Sequence, residues 1–283
     1  MAKLQDRVAV VTGGARGIGR SIALGMAREG AVVVAVDIDT SGTDDLTAEA
    51  DEAASTIVLR QADVADGDAM KAIIDEAVGT FGRLDVLVNN AAAMEPWVMR
   101  TDVNVETTPV ETWDRAYAVN IRGPFLAAKY AVPHMLKTTG AGNVINISTP
   151  AGFNGDVAGV AYSTSKAALH GLTRSIATSH GRLGVRSNCI APGLILTEAA
   201  LQNMSLEQRQ ARRRHRLVRR PGWPGDVAAL AVFLASDDSG YITGQTIIMD
   251  GGISSVHQPW YADSAVTHPD MVEEDFGEDL GEV

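Results

Sequence analysis

The sequence lacks most of what would mark a secreted, metal-binding, membrane or nucleic-acid-binding protein. It has one cysteine, Cys189, so no internal disulfide is available and a reducing compartment is expected. Its six histidines form no close ligand pair, and with a single thiol this argues against a zinc site. No stretch approaches the roughly 20 apolar residues that cross a bilayer. The apolar run that follows residues 1–7 has only four or five residues, too few for a signal peptide. An excess of basic charge is also missing. The net charge is −11, which opposes phosphate-driven binding of nucleic acid. A soluble, cytoplasmic protein that needs neither metal nor cross-link to fold is expected from its 283 residues.

The acidity is unevenly placed. Eight acidic residues and no Lys or Arg lie in 253–283, so the body, residues 1–252, carries 24 basic against 27 acidic groups and is nearly balanced. The expected organisation is one domain over 1–252, with a substrate loop at about 194–222, and an acidic C-terminal extension over 253–283. One basic run opposes the trend: Arg209, Arg212, Arg213, Arg214, Arg216, Arg219 and Arg220, around His215. It reads either as a solvated helix face or as a docking place for the acidic extension.

Short runs rich in Val and Ile recur at 8–11, 31–36, 57–59, 84–88, 144–147, 185–190 and 246–249. They are apolar throughout rather than alternating, as strands are when buried on both faces of a parallel sheet. Helical periodicity fills the gaps, for example at 21–28, 69–78, 112–135 and 161–180. The repeated strand–helix order predicts an α/β fold, a single doubly wound domain with a mostly seven-stranded parallel sheet.

The first strand runs into a glycine-rich turn, Thr12-Gly13-Gly14-Ala15-Arg16-Gly17-Ile18-Gly19, and a helix follows at once. Glycines let a backbone turn tightly against a ligand, and the helix start offers free N–H groups to a pyrophosphate. The second strand ends at Asp37, where a carboxylate accepts both ribose hydroxyls of NAD and repels the 2′-phosphate of NADP. Asp39, further past the strand, is a weaker candidate. Arg16 pulls toward NADP, but an unpaired anion facing a phosphate is the more costly fault, so the expected cofactor is NAD, with NADP second. Gly13, Arg16, Gly17, Ile18, Gly19, Asp37 and Ile38 form this half of the expected cofactor site.

Further on, Tyr162-Ser163-Thr164-Ser165-Lys166 places a phenol and an ammonium four residues apart on one helix face. A phenol with an ordinary pKa of about 10 is a poor base at neutral pH, and a neighbouring cation is expected to lower it.

With these motifs in order, the chain resembles the short-chain dehydrogenase/reductase family over residues 5–252. The matching segments are 12–19, Asp63-Val64, Asn89-Asn90-Ala91, Asn120, 162–166, and Pro192-Gly193 with Thr197. The resemblance implies a Rossmann-type domain that binds a nicotinamide cofactor and forms homotetramers. It implies that Tyr162 is the general acid/base, and that Lys166 holds the nicotinamide ribose and lowers the tyrosine pKa. Asn120 would support a water in the proton relay. Asp63 and Val64 would border the adenine, and Asn90 and Ala91 the ribose. Pro192, Gly193, Ile195 and Thr197 would lie along the nicotinamide.

Two positions depart from the family. A serine usually stands thirteen residues before the tyrosine and hydrogen-bonds the reacting oxygen. Here that place holds Thr149, with Ser148 before it; Thr149 is preferred for the role and Ser148 is the alternative, since neighbouring strand-end side chains point to opposite faces and only one can face the oxygen. Ser148 is then structural or faces the cofactor. Ala92 stands where glycine is usual, beside the cofactor.

The expected reaction interconverts a secondary alcohol and a ketone, with Tyr162 exchanging the hydroxyl proton and NAD the hydride. Segments 92–109, 150–160 and the stretch after Thr197 should line the substrate pocket. They carry Met94, Trp97, Val98 and Met99, then Phe153, Val157 and Val160, then Leu201, Met204 and Leu206. Such a lining suits a hydrophobic cyclic small molecule, terpenoid or steroid-like. A 3-oxoacyl thioester is the alternative, since the basic run could meet an acidic carrier protein. A non-catalytic NAD-binding sensor or scaffold is a third reading, opposed by the presence of both Tyr162 and Lys166. His170 is expected to pack on its helix, and Cys189 to be a buried, inert thiol.

Overall fold

The computed structural model describes residues 2–52, 55–205, 207, 209, 216–218 and 220–254. Leu206, Arg212, Arg213, Arg214, His215, Arg219 and the extension from 255 onward, with Trp260 and Tyr261, lie outside the described residues, and with them the proposed docking of the tail.

All seven expected strands form: β1 (Val8–Thr12), β2 (Val32–Asp37), β3 (Thr56–Gln61), β4 (Val86–Asn89), β5 (Gly142–Ile147), β6 (Val185–Pro192) and β7 (Thr246–Met249). They pair in parallel in the order β3-β2-β1-β4-β5-β6-β7. Their uniform apolarity follows from a core on each face. In β1, Ala9 and Val11 join one core, with Ile22 and Met26 of α1 (Gly17–Arg28). Val8 and Val10 join the other, with Met70 and Ile74 of α3 (Gly67–Phe81). In chain order α2 (Asp44–Glu52) comes between these two helices, and its Leu46 and Ala50 join the core on the α1 face.

After β4 the chain makes a long arm. It holds α4 (Pro96–Thr101) and leads into α5 (Val110–Tyr117). The single helix expected over 112–135 is interrupted. Residues Ala118–Arg122 form a π turn, and α6 (Gly123–Thr138) continues after it. Gly123 explains the tight join, because a Cβ there would lie 3.0 Å from Val64 Cγ2. The remaining helices are α7 (Ala151–Asn154), α8 (Val160–His180), α9 (Glu198–Asn203) and α10 (Pro224–Ala235).

From β1 the chain winds outward to β3 and then returns to β4 on the other side of β1. The switch of direction opens a crevice at the carboxyl ends of these strands, where doubly wound proteins bind ligands. Among the described residues no helix is long and apolar enough to cross a membrane.

Candidate active site

The glycine turn is built by its own close contacts. Gly13 and Gly17 have φ of +61 and +53, a conformation L side chains rarely adopt. A Cβ on Gly19 would lie 1.8 Å from the Gly13 carbonyl oxygen, so the helix start can press on the turn only as glycine. α1 begins with no side-chain cap and no acidic residue in its first turn, leaving N–H groups and the positive helix end open to an anion. The Thr12 hydroxyl accepts from Asn90 N–H (3.0 Å) and Ala91 N–H (3.2 Å), and Asn90 Nδ2 donates to the carbonyls of Thr12 and Gly13. The turns after β1 and β4 are thereby one hydrogen-bonded unit.

At the end of β2, Asp37 accepts from Ala15 N–H through Oδ2 at 3.1 Å and from Asp39 N–H through Oδ1 at 3.3 Å. The carboxylate therefore borders the glycine turn, and Ile38 next to it is exposed. The Arg16 guanidinium is already paired, donating to Asp39 Oδ2 at 2.6 Å and to the Ser41 carbonyl. Hydrogen bonds from Ser41, and then from Arg16, hold the Asp39 carboxyl down at about 2. An anion-binding helix start, a turn with glycine at 13, 14, 17 and 19 and a carboxylate beside it fit a dinucleotide.

On α8, Tyr162 and Lys166 lie one turn apart as expected, with the ammonium 5.9 Å from the ring centroid. Lys166 is buried and donates to the Ile147 carbonyl at 2.7 Å. The phenol, however, is not lowered. Burial pushes it up to about 12, and burial likewise takes the Lys166 ammonium down to about 8. Desolvation disfavours both charged forms, and in this geometry it outweighs the attraction of the cation.

Asn120 sits on the π turn, fully buried. Its Oδ1 accepts from Ala93 N–H at 2.8 Å, and its Nδ2 donates to Ser165 Oγ at 3.0 Å. Ser165 in turn donates to the Tyr162 carbonyl. The Asn120 amide thus braces the turn after β4 against α8. A second buried ladder, which the sequence reading missed, runs from Asn89 Nδ2 to Asn146 Oδ1 and from Asn146 Nδ2 to Thr173 Oγ1.

Thr149 is the second residue after β5, two beyond the carbonyl that Lys166 contacts, and is partly exposed. The Ser148 hydroxyl points elsewhere. It donates to the Lys166 carbonyl and lies 2.8 Å from His170 Nε2, so of its two expected roles the structural one fits and cofactor contact by this hydroxyl does not. A hydroxyl has one proton, so His170 Nε2 must be the donor toward Ser148. The His170 ring also stacks on Phe153, centroids 4.2 Å apart, which is closer engagement than simple packing on its helix.

The remaining cofactor candidates line the same edge. Asp63 accepts from Ala65 N–H and pairs with Arg115 of α5, while Val64 packs under α6. Ala92 and Ala91 follow β4, partly buried. Gly193 lies past Pro192, where a Cβ would meet Asp250 Cβ at 2.7 Å. Ile195 is buried and bridges to Gly222. Thr197 caps α9 through Ala200 N–H, and its methyl would be 3.3 Å from a Cβ on Gly17. The segment that opens α9 therefore rests on the glycine turn.

Of the substrate-side residues, Met94, Trp97, Met99, Phe153 and Val157 are exposed, and Leu201 and Met204 on or next to α9 are partly so. Val98 differs: it is buried in the sheet core below α4, because the helix turns that position inward. The arm is held at its start by Arg115, which pairs with both Glu95 (2.6 Å) and Asp63 (2.7 Å).

The fold and this edge define a doubly wound α/β protein of the dinucleotide-binding class. A family profile described as Enoyl-(Acyl carrier protein) reductase matches residues 13–254. A probable short-chain type dehydrogenase/reductase of Bradyrhizobium diazoefficiens is 41% identical, covering 93% of this chain and 92% of its own. A 7alpha-hydroxysteroid dehydrogenase of Bacteroides fragilis is 35% identical over 92% of this chain and 98% of its own. Among solved structures, a 7alpha-hydroxysteroid dehydrogenase complexed with NADH and 7-oxo glycochenodeoxycholic acid superposes with a TM-score of 0.82 at 31% identity, over 89% of this chain and 95% of that one. The chain belongs to the short-chain dehydrogenase/reductase family, a family of oxidoreductases.

Proposed function

We propose that this protein is an NAD(H)-dependent oxidoreductase that interconverts a secondary alcohol and a ketone on a hydrophobic cyclic substrate. The observation that carries the reading is the pairing of Tyr162 with Lys166 on one face of α8, with Lys166 buried on the Ile147 carbonyl at the end of β5, two residues before Thr149. When bound, the nicotinamide supplies hydride exchange at the alcohol carbon. Tyr162 gives its phenolic proton to the oxygen in reduction and recovers it in oxidation. Thr149 donates a hydrogen bond to that oxygen as its charge changes. Lys166 holds the nicotinamide ribose. Gly13, Gly17, Ile18 and Gly19 receive the pyrophosphate, Asp37 and Ile38 the adenosine ribose, and Asp63, Val64, Asn90, Ala91 and Ala92 the adenine side. Pro192, Gly193, Ile195 and Thr197 flank the nicotinamide.

NAD is preferred over NADP on electrostatic grounds. Arg16, the nearby cation, is already neutralised by Asp39, and a 2′-phosphate would face Asp37 as well. Exposed Met94, Trp97 and Phe153, with Leu201 and Met204, supply an apolar substrate side. The steroid-named relatives support a cyclic substrate. The profile description favours, as a second reading, reduction of a 3-oxoacyl thioester.

The test is reduction of 7-oxo glycochenodeoxycholic acid, simple cyclic ketones and an acetoacetyl thioester, with NADH and then NADPH, followed by nicotinamide absorbance. Turnover of a cyclic ketone with NADH, lowered at least roughly 100-fold in Tyr162→Phe, supports the reading. Turnover of the thioester alone transfers it to the second reading, and activity with NADPH alone overturns the role given to Asp37. Assembly into homotetramers belongs to this reading, and sedimentation at the mass of one 29.8 kDa chain would remove it.

A further inference from the structure

The helix that carries Tyr162 and Lys166 has no cap of its own. An α-helix leaves its first N–H groups unpaired, and the residue preceding it normally accepts from the second or third of them through a side-chain oxygen. For α8 that residue is Gly159, which has φ of +80 and no side chain to offer. The acceptor comes from Asp102, just past α4 on the arm. Its Oδ1 accepts from Ala161 N–H at 2.9 Å and its Oδ2 from Tyr162 N–H at 2.8 Å, which are the second and third positions of the helix. The Asp102 backbone carbonyl accepts from Gly159 N–H at 3.1 Å. Asp102 is buried, and a buried carboxylate is tolerated when its oxygens are hydrogen-bonded.

We propose that Asp102 is a positioning residue, which caps α8 from outside the helix and sets the place of the Tyr162 phenol relative to the substrate-side arm. The inference rests on the reading of Tyr162 as the acid/base. The arm is tied at two points: Arg115 holds Glu95 at its start, and Asp102, just past α4, locks it to the helix start. A substrate that settles on the exposed side chains of Met94, Trp97 and Met99 therefore lies on the same rigid piece that locates the proton donor. Charge-assisted bonds to two successive N–H groups fix both the rotation and the height of the first turn. A displacement of about 1 Å at a reacting group costs on the order of 100-fold in rate, so a cap at the turn that bears the phenol has leverage on kcat.

The experiment compares wild type, Asp102→Asn and Asp102→Ala, with Tyr162→Phe as control. It measures turnover of the ketone the wild type reduces fastest, NADH affinity by fluorescence, and amide exchange across 160–163. Asp102→Ala should quicken exchange at Ala161 and Tyr162 and lower kcat roughly 10- to 100-fold, with NADH affinity changed by no more than about twofold. Asp102→Asn keeps one acceptor oxygen and should fall between. Faster exchange with kcat unchanged would overturn the inference. So would a joint loss of kcat, NADH affinity and cooperative thermal unfolding in both variants, the mark of general structural damage. If Tyr162→Phe turns over like the wild type, the acid/base reading fails and the inference with it. An inactive Tyr162→Phe beside an undisturbed Asp102→Ala overturns the inference alone.

Discussion

Burial sets the proton inventory of the two residues at the centre of the site. The Tyr162 phenol, pushed up to about 12, keeps its proton throughout the neutral range, which under the proposed function is the state that protonates a ketone oxygen. Lys166, lowered to about 8, is charged at neutral pH but not far above it. The kcat/KM for ketone reduction should therefore fall through a midpoint of about 8 as pH rises, a profile that reports the free protein. The same shift affects stability. Between its folded pKa of about 8 and the ordinary 10.5, Lys166 holds fewer protons in the folded chain than in the unfolded one, so stability rises with pH across that window. In urea unfolding, wild type should gain stability over Lys166→Met, on the order of 1 to 2 kcal/mol, between pH 8 and 9.5. The Tyr162 shift acts in the opposite sense, but only above about 10, because there the folded chain retains the extra proton.

Among the elements, the glycine turn shows how sequence can announce structure. Gly13, Gly17 and Gly19 were legible because the turn permits nothing else: positive φ at two positions and a 1.8 Å approach at the third. Gly19→Ala should displace the start of α1, weaken NADH binding at least tenfold in a fluorescence titration, and lower Tm. The strands were legible for an equally direct reason, since a strand covered on both faces has no polar side to show. The π turn at Ala118–Arg122 was missed although Gly123 and Pro124 stand inside 112–135: the helical period runs through them, while Pro124 offers no N–H to the carbonyl four residues back and Gly123 packs against Val64. The cap on α8 was half legible. The lack of Ser, Thr, Asp or Asn at position 159 says that a partner must come from elsewhere, but its identity depends on where a distant arm folds back. The rise of the Tyr162 pKa was misjudged for a similar reason: spacing shows that a cation is near, but not how much water both groups lose.

Across the whole molecule, the candidate residues gather along one edge of the sheet, at the ends of β1, β2, β4, β5 and β6. Arg115 spans that edge, joining Asp63 after β3 to Glu95 at the base of the arm. Arg115→Met would leave the two carboxylates facing each other without their shared cation. Tm should drop by about 3 °C at low ionic strength, and by less in high salt, where the repulsion is screened. Calorimetry at two salt concentrations checks this. The attachment of the arm also bears on how such a protein can be remodelled. Exchanging residues 94–109 for a segment from a relative would alter the surface offered to the substrate without touching a strand. If the imported segment brought no carboxylate to the place of Asp102, the first turn of the neighbouring helix would lose the acceptor for two N–H groups. A chimera made for a new substrate would then be slow on every substrate, and restoring one aspartate would do more for it than redesigning its apolar contacts.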